Sequence, residues 1–350
     1  AAAIAVNPVY ENERLAELTH WGAPWANLRV VVVGMGTSGD AVTDVLAQLG
    51  AHIVVIDGAD TPEKRERIEI YKNAYGNVEG LFGPEHMRAL PLVDGQEPEL
   101  VVTSPGVRPD HPVMLDAYER RIQIWGDVEL AWRLNERNDR LTPKWLCLTG
   151  TNGKTTTVGM VDSILKAAGK KSIQVGNVGM PIVYAIADDE PYEFFAVELS
   201  SFQLHWTYSM SPYASVVLNI AEDHVDWHGS FDAYKADKAR VYEHTQVACI
   251  FNTDHVDTLR MVENADVIEG ARAIGFSSTE MPAVSMLGLA EDIMVDRAFL
   301  KNRYNEAYEL AVLEDLAPAP GKMPAKHTVE NALAAAALCR AADIDPKAVG

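Results

Sequence analysis

Cysteine is scarce: Cys147, Cys249 and Cys339 are the only three in 350 residues, far apart and without a CxxC pair. An odd, scattered set makes no disulfide framework, and it lacks the paired spacing of a zinc knuckle. Small buried hydrophobes in a reducing compartment are the expected role. Basic side chains are outnumbered, 30 Lys and Arg against 50 Asp and Glu, for a formal charge of −20. Broad binding to nucleic acid or an anionic membrane needs a basic face, so neither partner is expected. A local basic pocket for a phosphorylated small molecule stays compatible with that balance. No apolar run is long enough to cross a bilayer, and no basic start leads into a signal-type segment. Ala1-Ala2-Ala3 reads as a tail. These absences point to a soluble, cytoplasmic protein.

What is present is globular in composition, with 48% hydrophobic and 23% charged residues. The length exceeds one ordinary core, so two or more domains are expected. Short β-rich runs alternate with helical stretches, the pattern of a parallel α/β sheet. The first block, residues 1–140, opens with Val30-Val31-Val32-Val33 and a helical stretch to about Leu49. A second apolar run ends at Asp57, and a third unit closes with Leu100 to Gly106. Polar Asn135 to Pro143 breaks the periodicity and marks a linker. A second, larger α/β domain, 141–350, starts at Trp145-Leu146-Cys147-Leu148, with strands near 171–176, 194–199, 214–220 and 247–252. From about 280 to 325 the pattern is irregular, interrupted by Pro282, Pro318, Pro320 and Pro324. A final alanine-rich helix runs from Glu330 to Ala342. No internal repeat and no low-complexity tract is seen.

Two glycine-rich turns hold the chemistry. Gly34-Met35-Gly36-Thr37-Ser38-Gly39 follows a strand and opens a helix, with Asp57 eighteen residues after the last glycine. This is the Rossmann-like dinucleotide-binding arrangement: glycines for a tight turn, amides for an anion, an acid for a ribose. These residues do not say which nucleotide. Thr149-Gly150-Thr151-Asn152-Gly153-Lys154-Thr155-Thr156-Thr157 is the second turn. Consecutive amides there can wrap phosphate oxygens, Lys154 supplies a point charge and Thr155 can reach magnesium. The strict P-loop pattern fails, because its first glycine falls on Leu148. A variant ATP site is the reading. Further loops fall where parallel strands end: Gly176-Asn177-Val178-Gly179, the run Val197 to Leu204, and Asn219 to Gly229. Glu198 emerges from a buried strand, as a magnesium ligand should. His224, Asp226 and His228 make a weak metal pattern. Lys235 and Lys238 share a helix face three residues apart, and sequence alone does not choose between them.

The segments GTNGKTT at 150–156, ELSSFQL at 198–204, LNIAEDHVDWHG at 218–229 and YKADKARVY at 234–242 together resemble the Mur ligases. These are the ATP-dependent enzymes that extend the peptide of bacterial cell-wall precursors. The Ser200-Ser201-Phe202-Gln203 run is most similar to the member that adds D-glutamate to UDP-N-acetylmuramoyl-L-alanine. The resemblance implies a Rossmann-like UDP-sugar domain followed by a mostly parallel, P-loop-type ATPase domain. It implies that Gly150, Thr151, Asn152, Gly153, Lys154, Thr155 and Thr156 hold ATP. Thr155 and Glu198 would bind one magnesium ion, and His224 and Lys238 a second. Lys238 matches the lysine that the family carbamylates, which selects it over Lys235. Thr37, Ser38, Asp57 and Ser104 would hold the uridine diphosphate, and Asn177 the muropeptide. Lys154, His224 and Lys238 form the implied catalytic set, in a monomeric enzyme.

Two departures from the family pattern stand out. A His-Asn-x-x-Asn run is usual before the last helix, and here it reads His327-Thr328-Val329-Glu330-Asn331, leaving Asn331 for the adenine contact. Family members also continue into a third α/β domain that takes the incoming amino acid. The chain is therefore expected to be a two-domain fragment that binds its substrates without turnover. A folylpolyglutamate synthetase-like ligase would lack the first glycine turn, and a nicotinamide-dependent dehydrogenase would leave 149–157 unexplained.

Overall fold

The computed structural model describes residues 6–350, so the Ala1-Ala2-Ala3 tail lies outside it. Among the described residues fourteen strands form two sheets. The first is parallel throughout, with order β3-β2-β1-β4-β5. Its members are β1 (Arg29–Val33), β2 (His52–Asp57), β3 (Val78–Phe82), β4 (Leu100–Thr103) and β5 (Gln123–Trp125). Val30 to Val33 are all buried, as a central strand covered on both faces requires. Strand order reverses between β1 and β4, which opens a crevice at their carboxyl ends. The Gly34–Gly39 turn and Ser104 therefore meet there.

The second sheet has nine strands in the order β14-β13-β12-β11-β10-β9-β6-β8-β7. Strands β6 (Lys144–Thr149), β7 (Ser172–Gly176), β8 (Phe194–Glu198), β9 (Ala214–Val217), β10 (Ala248–Asn252), β11 (Arg272–Phe276) and β12 (Met286–Ala290) run parallel. Strands β13 (Ile293–Asp296) and β14 (Tyr308–Val312) add on antiparallel. The mixed, mostly parallel α/β class is as expected, but the irregular reading of 280–325 is overturned. β12 to β14 run only four or five residues each, and β14, at the sheet edge, buries just one of them, so no long apolar run announces them. Strands β3 and β5 also escape a sequence reading, the first being half open at an edge and the second only three residues long. The alanine-rich helix is Lys326–Ala341, starting a turn earlier than expected because the break is at Pro324.

Residues 135–143 lie between the helix Asp127–Leu134 and β6 without regular structure. Across this segment the two sheets share one apolar core, in which Trp125, Val128 and Leu130 belong with Trp145, Val183, Leu204 and Met210. The seam is also pegged by buried polar contacts. Glu129, fully buried, accepts the amides of Tyr208 at 2.7 Å and Ser209 at 2.8 Å. It pairs with Arg133 at 2.9 Å, whose guanidinium lies 4.6 Å from the Trp125 ring centre. Gln203 Nε2 donates to Asp127 Oδ2 at 3.3 Å, and Tyr184 donates to Asp44 at 2.7 Å. These buried polar contacts fix register as well as packing, with Asp127 Oδ1 alone of the group left without a partner.

Candidate active site

The first turn is built by close backbone approach. Gly34 has φ 93°, a left-handed conformation, and a Cβ on Gly39 would collide with the Gly34 carbonyl oxygen. The helix Thr37–Gln48 then starts at Gly36 without a side-chain cap, leaving its first amides free for an anion. Asp57, at the end of β2, does not stand open. It accepts the Met35 amide at 2.8 Å and the Ala59 amide at 2.9 Å, and meets Lys64 at 3.1 Å. Burial alone would raise its pKa, but these two amides and Lys64 hold it below the usual carboxylate value. Ser104 Oγ reaches the Gly34 carbonyl at 3.5 Å. Thr37, Ser38, Asp57 and Ser104 thus gather at one sheet edge, with Asp57 organising the turn.

The second turn follows β6, between the ends of β8 and β9. Asn152 and Asn219 exchange two hydrogen bonds of 2.8 Å, which lock the turn onto the loop after β9. Thr151 Oγ1 lies 3.0 Å from the Tyr234 hydroxyl and accepts the Ala221 amide at 3.0 Å. Gly150 packs on Leu218, where an added Cβ would stand 3.0 Å from the leucine Cβ. Gly153 has φ 85°, and its missing Cβ would sit 2.7 Å from Asn331 Oδ1. Asn331 is therefore a buried prop beneath the turn. Lys154 Nζ folds back to the Gly150 carbonyl at 2.8 Å, and burial lowers its pKa against the opposing pull of Glu198 and Asp223. Thr156 stands apart from this group, on a helix face that borders an apolar cavity with Met160, Ile164 and Met294.

Glu198 is 1% exposed, and its Oε2 has no partner. Its Oε1 receives Thr155 Oγ1 at 3.5 Å. Burial raises its pKa, while Lys154, Asn177 and Thr155 pull the other way. An orphaned buried carboxylate oxygen beside a threonine hydroxyl fits a divalent cation. Asn177 donates its backbone N–H to the Glu198 carbonyl at 2.8 Å, which places it at this end of the cleft.

The two lysines of the Phe231–Ala239 helix part company. Lys238 is 2% exposed, with Nζ 2.9 Å from the Gly150 carbonyl and 3.2 Å from Thr149 Oγ1. Burial first, then the charge of Lys154, pull its pKa down to about 7. Lys235 instead faces outward toward Asp232 at 3.6 Å and Asp257 at 4.0 Å.

The histidine–aspartate run also divides. His224 has φ 48° and lays its half-exposed ring 4.8 Å from Phe202, beside the cleft. Asp226 points to solvent, 83% exposed. His228 is buried, with Nε2 2.9 Å from Ser201 Oγ and burial lowering its pKa to about 4. Among the described residues no group of three or more His, Cys, Asp or Glu side chains is placed to hold a metal.

Several contributors have no role read from the sequence, although Asn219 and Tyr234 lie within the family-like segments 218–229 and 234–242. Asn219 and Tyr234 brace the second turn, and Asp127 meets Gln203 only because the two sheets pack. Ser200 and Gln203 form a reciprocal cap, which a Ser-x-x-Gln spacing could have shown. All three cysteines are buried and free.

Comparison with known proteins gives two family matches. Residues 148–339 match the Mur ligase middle domain, and residues 28–126 the N-terminal domain of MurD-like Mur ligases. UDP-N-acetylmuramoylalanine--D-glutamate ligase of Leifsonia xyli subsp. xyli is 45% identical over 95% of this chain and 65% of its own length. The same-named protein of Tropheryma whipplei (strain TW08/27) is 35% identical over 96% of this chain and 68% of its own. The chain thus spans about two thirds of the length of these relatives. A Neisseria meningitides structure of UDP-N-acetylmuramate:L-alanyl-gamma-D-glutamyl-meso-diaminopimelate ligase shares the fold. Its TM-score is 0.52 at 14% identity, covering 93% of this chain and 96% of that one.

Proposed function

The chain belongs to the Mur ligase family, and from that membership we propose that it holds the nucleotide-sugar and ATP sites of a D-glutamate-adding ligase. The substrate of this reading is UDP-N-acetylmuramoyl-L-alanine, and the reaction an ATP-dependent amide synthesis. One observation supports it above the others: Lys154, the unpartnered Glu198 oxygen and the buried Lys238 amine converge at the end of one sheet.

In the proposed reaction the γ-phosphoryl group of ATP passes to the alanine carboxylate, giving an acyl phosphate and ADP. The amine of D-glutamate then attacks the acyl carbon, loses a proton, and phosphate leaves as the amide forms. The first step brings two anions together, so positioning and charge neutralisation dominate its barrier. Lys154 leaves the Gly150 carbonyl for the phosphates, and the amides of Thr151 to Thr156 cradle them. Thr155 and Glu198 would hold one magnesium ion, and His224 with Lys238 a second. Bound magnesium would supply further neutralisation of the transferring phosphoryl group. A lysine with its pKa near 7 is substantially uncharged at neutral pH, and the free amine can add CO2 with loss of a proton to give a carbamate. Lys238 would then present an anion in place of an amine. Asn331 supports the ATP side from below Gly153, while Thr37, Ser38 and Ser104 take the uridine diphosphate at the free helix amides.

Calorimetric titration with UDP-N-acetylmuramoyl-L-alanine, ATP and NAD tests this reading. Binding of the first two and not the third is expected. NAD binding without nucleotide-sugar binding would refute it.

A further inference from the structure

A continuous line of contacts runs from the first turn to the second. Ser104 touches Gly34, and two residues on, the Gly106 carbonyl accepts the Trp227 indole N–H at 3.3 Å. Trp227 and His224 both pack on Phe202, at 4.7 and 4.8 Å between ring centres. His224 in turn neighbours Tyr234, whose hydroxyl meets Thr151. A molecule that holds its nucleotide at the first turn and reacts at the second must follow this line. Arg108 stands in the middle of it. Its guanidinium pairs with Asp110 at 2.9 Å and approaches Asp226, on the far loop, at 3.8 Å.

Both of these pairs are open to water: Arg108 is 47% exposed, Asp110 40% and Asp226 83%. Ion pairs of that kind are weak and readily exchanged. Lys64, Lys154 and Lys238, cations near the line, are engaged or hidden: Lys64 with Asp57 at 3.1 Å, Lys154 with the Gly150 carbonyl at 2.8 Å, and Lys238 in the interior. Asp110 and Asp226 are carboxylates, so they display the oxygen geometry that a planar guanidinium takes bidentately from a phosphate or a carboxylate.

We infer that Arg108 is a further substrate-binding residue, exchanging Asp110 and Asp226 for an anionic oxygen pair of the nucleotide sugar as it bridges the two turns. This rests on the nucleotide-sugar reading of the cleft. Either the diphosphate or the alanine carboxylate can supply the oxygens.

The test is calorimetric titration of wild type, R108A and R108K with UDP, with UDP-N-acetylmuramoyl-L-alanine and with a non-hydrolysable ATP analogue. R108A should bind the nucleotide sugar about tenfold more weakly, near 1.4 kcal/mol, with R108K between the two and ATP-analogue binding unchanged. A parallel loss for UDP assigns the diphosphate, and a loss confined to the full substrate assigns the carboxylate. Equal nucleotide-sugar affinity in R108A and wild type would overturn the assignment. So would an equal loss of ATP-analogue binding with a lowered melting temperature, the mark of a structural role. Wild type that binds the ATP analogue but neither UDP compound would instead overturn the functional reading, and the assignment with it.

Discussion

The turns after β1 and β6 have the same local design, a buried strand, glycines and a helix beginning at unpaired amides, yet they are equipped differently. The Gly34–Gly39 turn contains no cation, and its nearest acid, Asp57, is occupied with the amides of Met35 and Ala59. The Gly150–Thr156 turn contains Lys154 and faces Glu198, whose second oxygen is unpartnered. Helix amides alone suffice to hold a phosphate that only anchors its molecule. A phosphate that is to be transferred also needs mobile charge and room for a metal ion. The difference between the turns therefore lies in what surrounds the backbone, and under the proposed function it separates an anchoring role from a reacting one.

Replacing Lys154 with Ala should sharpen the contrast most. Loss of a charged hydrogen-bond donor to phosphate should weaken ATP binding by about 10- to 100-fold, with UDP-sugar affinity unchanged in the same titrations. Gly39→Ala should break the first turn selectively. Its Cβ would meet the Gly34 carbonyl, costing about 1–3 kcal/mol in chemical denaturation and weakening UDP binding while ATP binding persists. Gly36→Ala is the control: nothing lies within 4 Å of its Cβ, and stability should stay within about 0.5 kcal/mol of wild type. The smallest effect concerns Asp57. Its folded pKa is lowered from 3.8, so its contribution is present above that value and fades as pH falls through the folded one. Asp57→Asn should be measurably less stable than wild type at pH 6, with the gap closing toward pH 3.

Both turns are legible in the sequence because each is a local motif whose residues lie within a few positions of one another. Glu198 is legible for a related reason, since an acid ending an apolar run must stand at a strand's carboxyl end. The partners that complete the site are not local, and only the family resemblance points to Asn331. Asn219 meets Asn152 across 67 residues, and Asn331 reaches Gly153 from the far helix. Spacing also cannot tell Lys235 from Lys238; one lies inward and the other outward only because of how the helix packs on the P-loop. The strands between 286 and 312 are hidden for another reason. They run four or five residues each, and β14 at the sheet edge buries only one of them, so the strong apolar run of a central strand is missing there.

The pegged seam between the sheets has a consequence for inheritance. Glu129 is matched to the amides of 208 and 209, Asp127 to Gln203, and Arg133 to Trp125 within its own half and to Tyr208 in the other. A chimera taking its second half from a distant relative would keep backbone amides for Glu129 but bring in one side of the Asp127–Gln203 and Arg133–Tyr208 matches without the other. Stranding a buried charge in that way costs about 3–5 kcal/mol, a large share of a domain's stability. The halves are thus poor building blocks for shuffling, and substitutions along the seam should become established as matched sets.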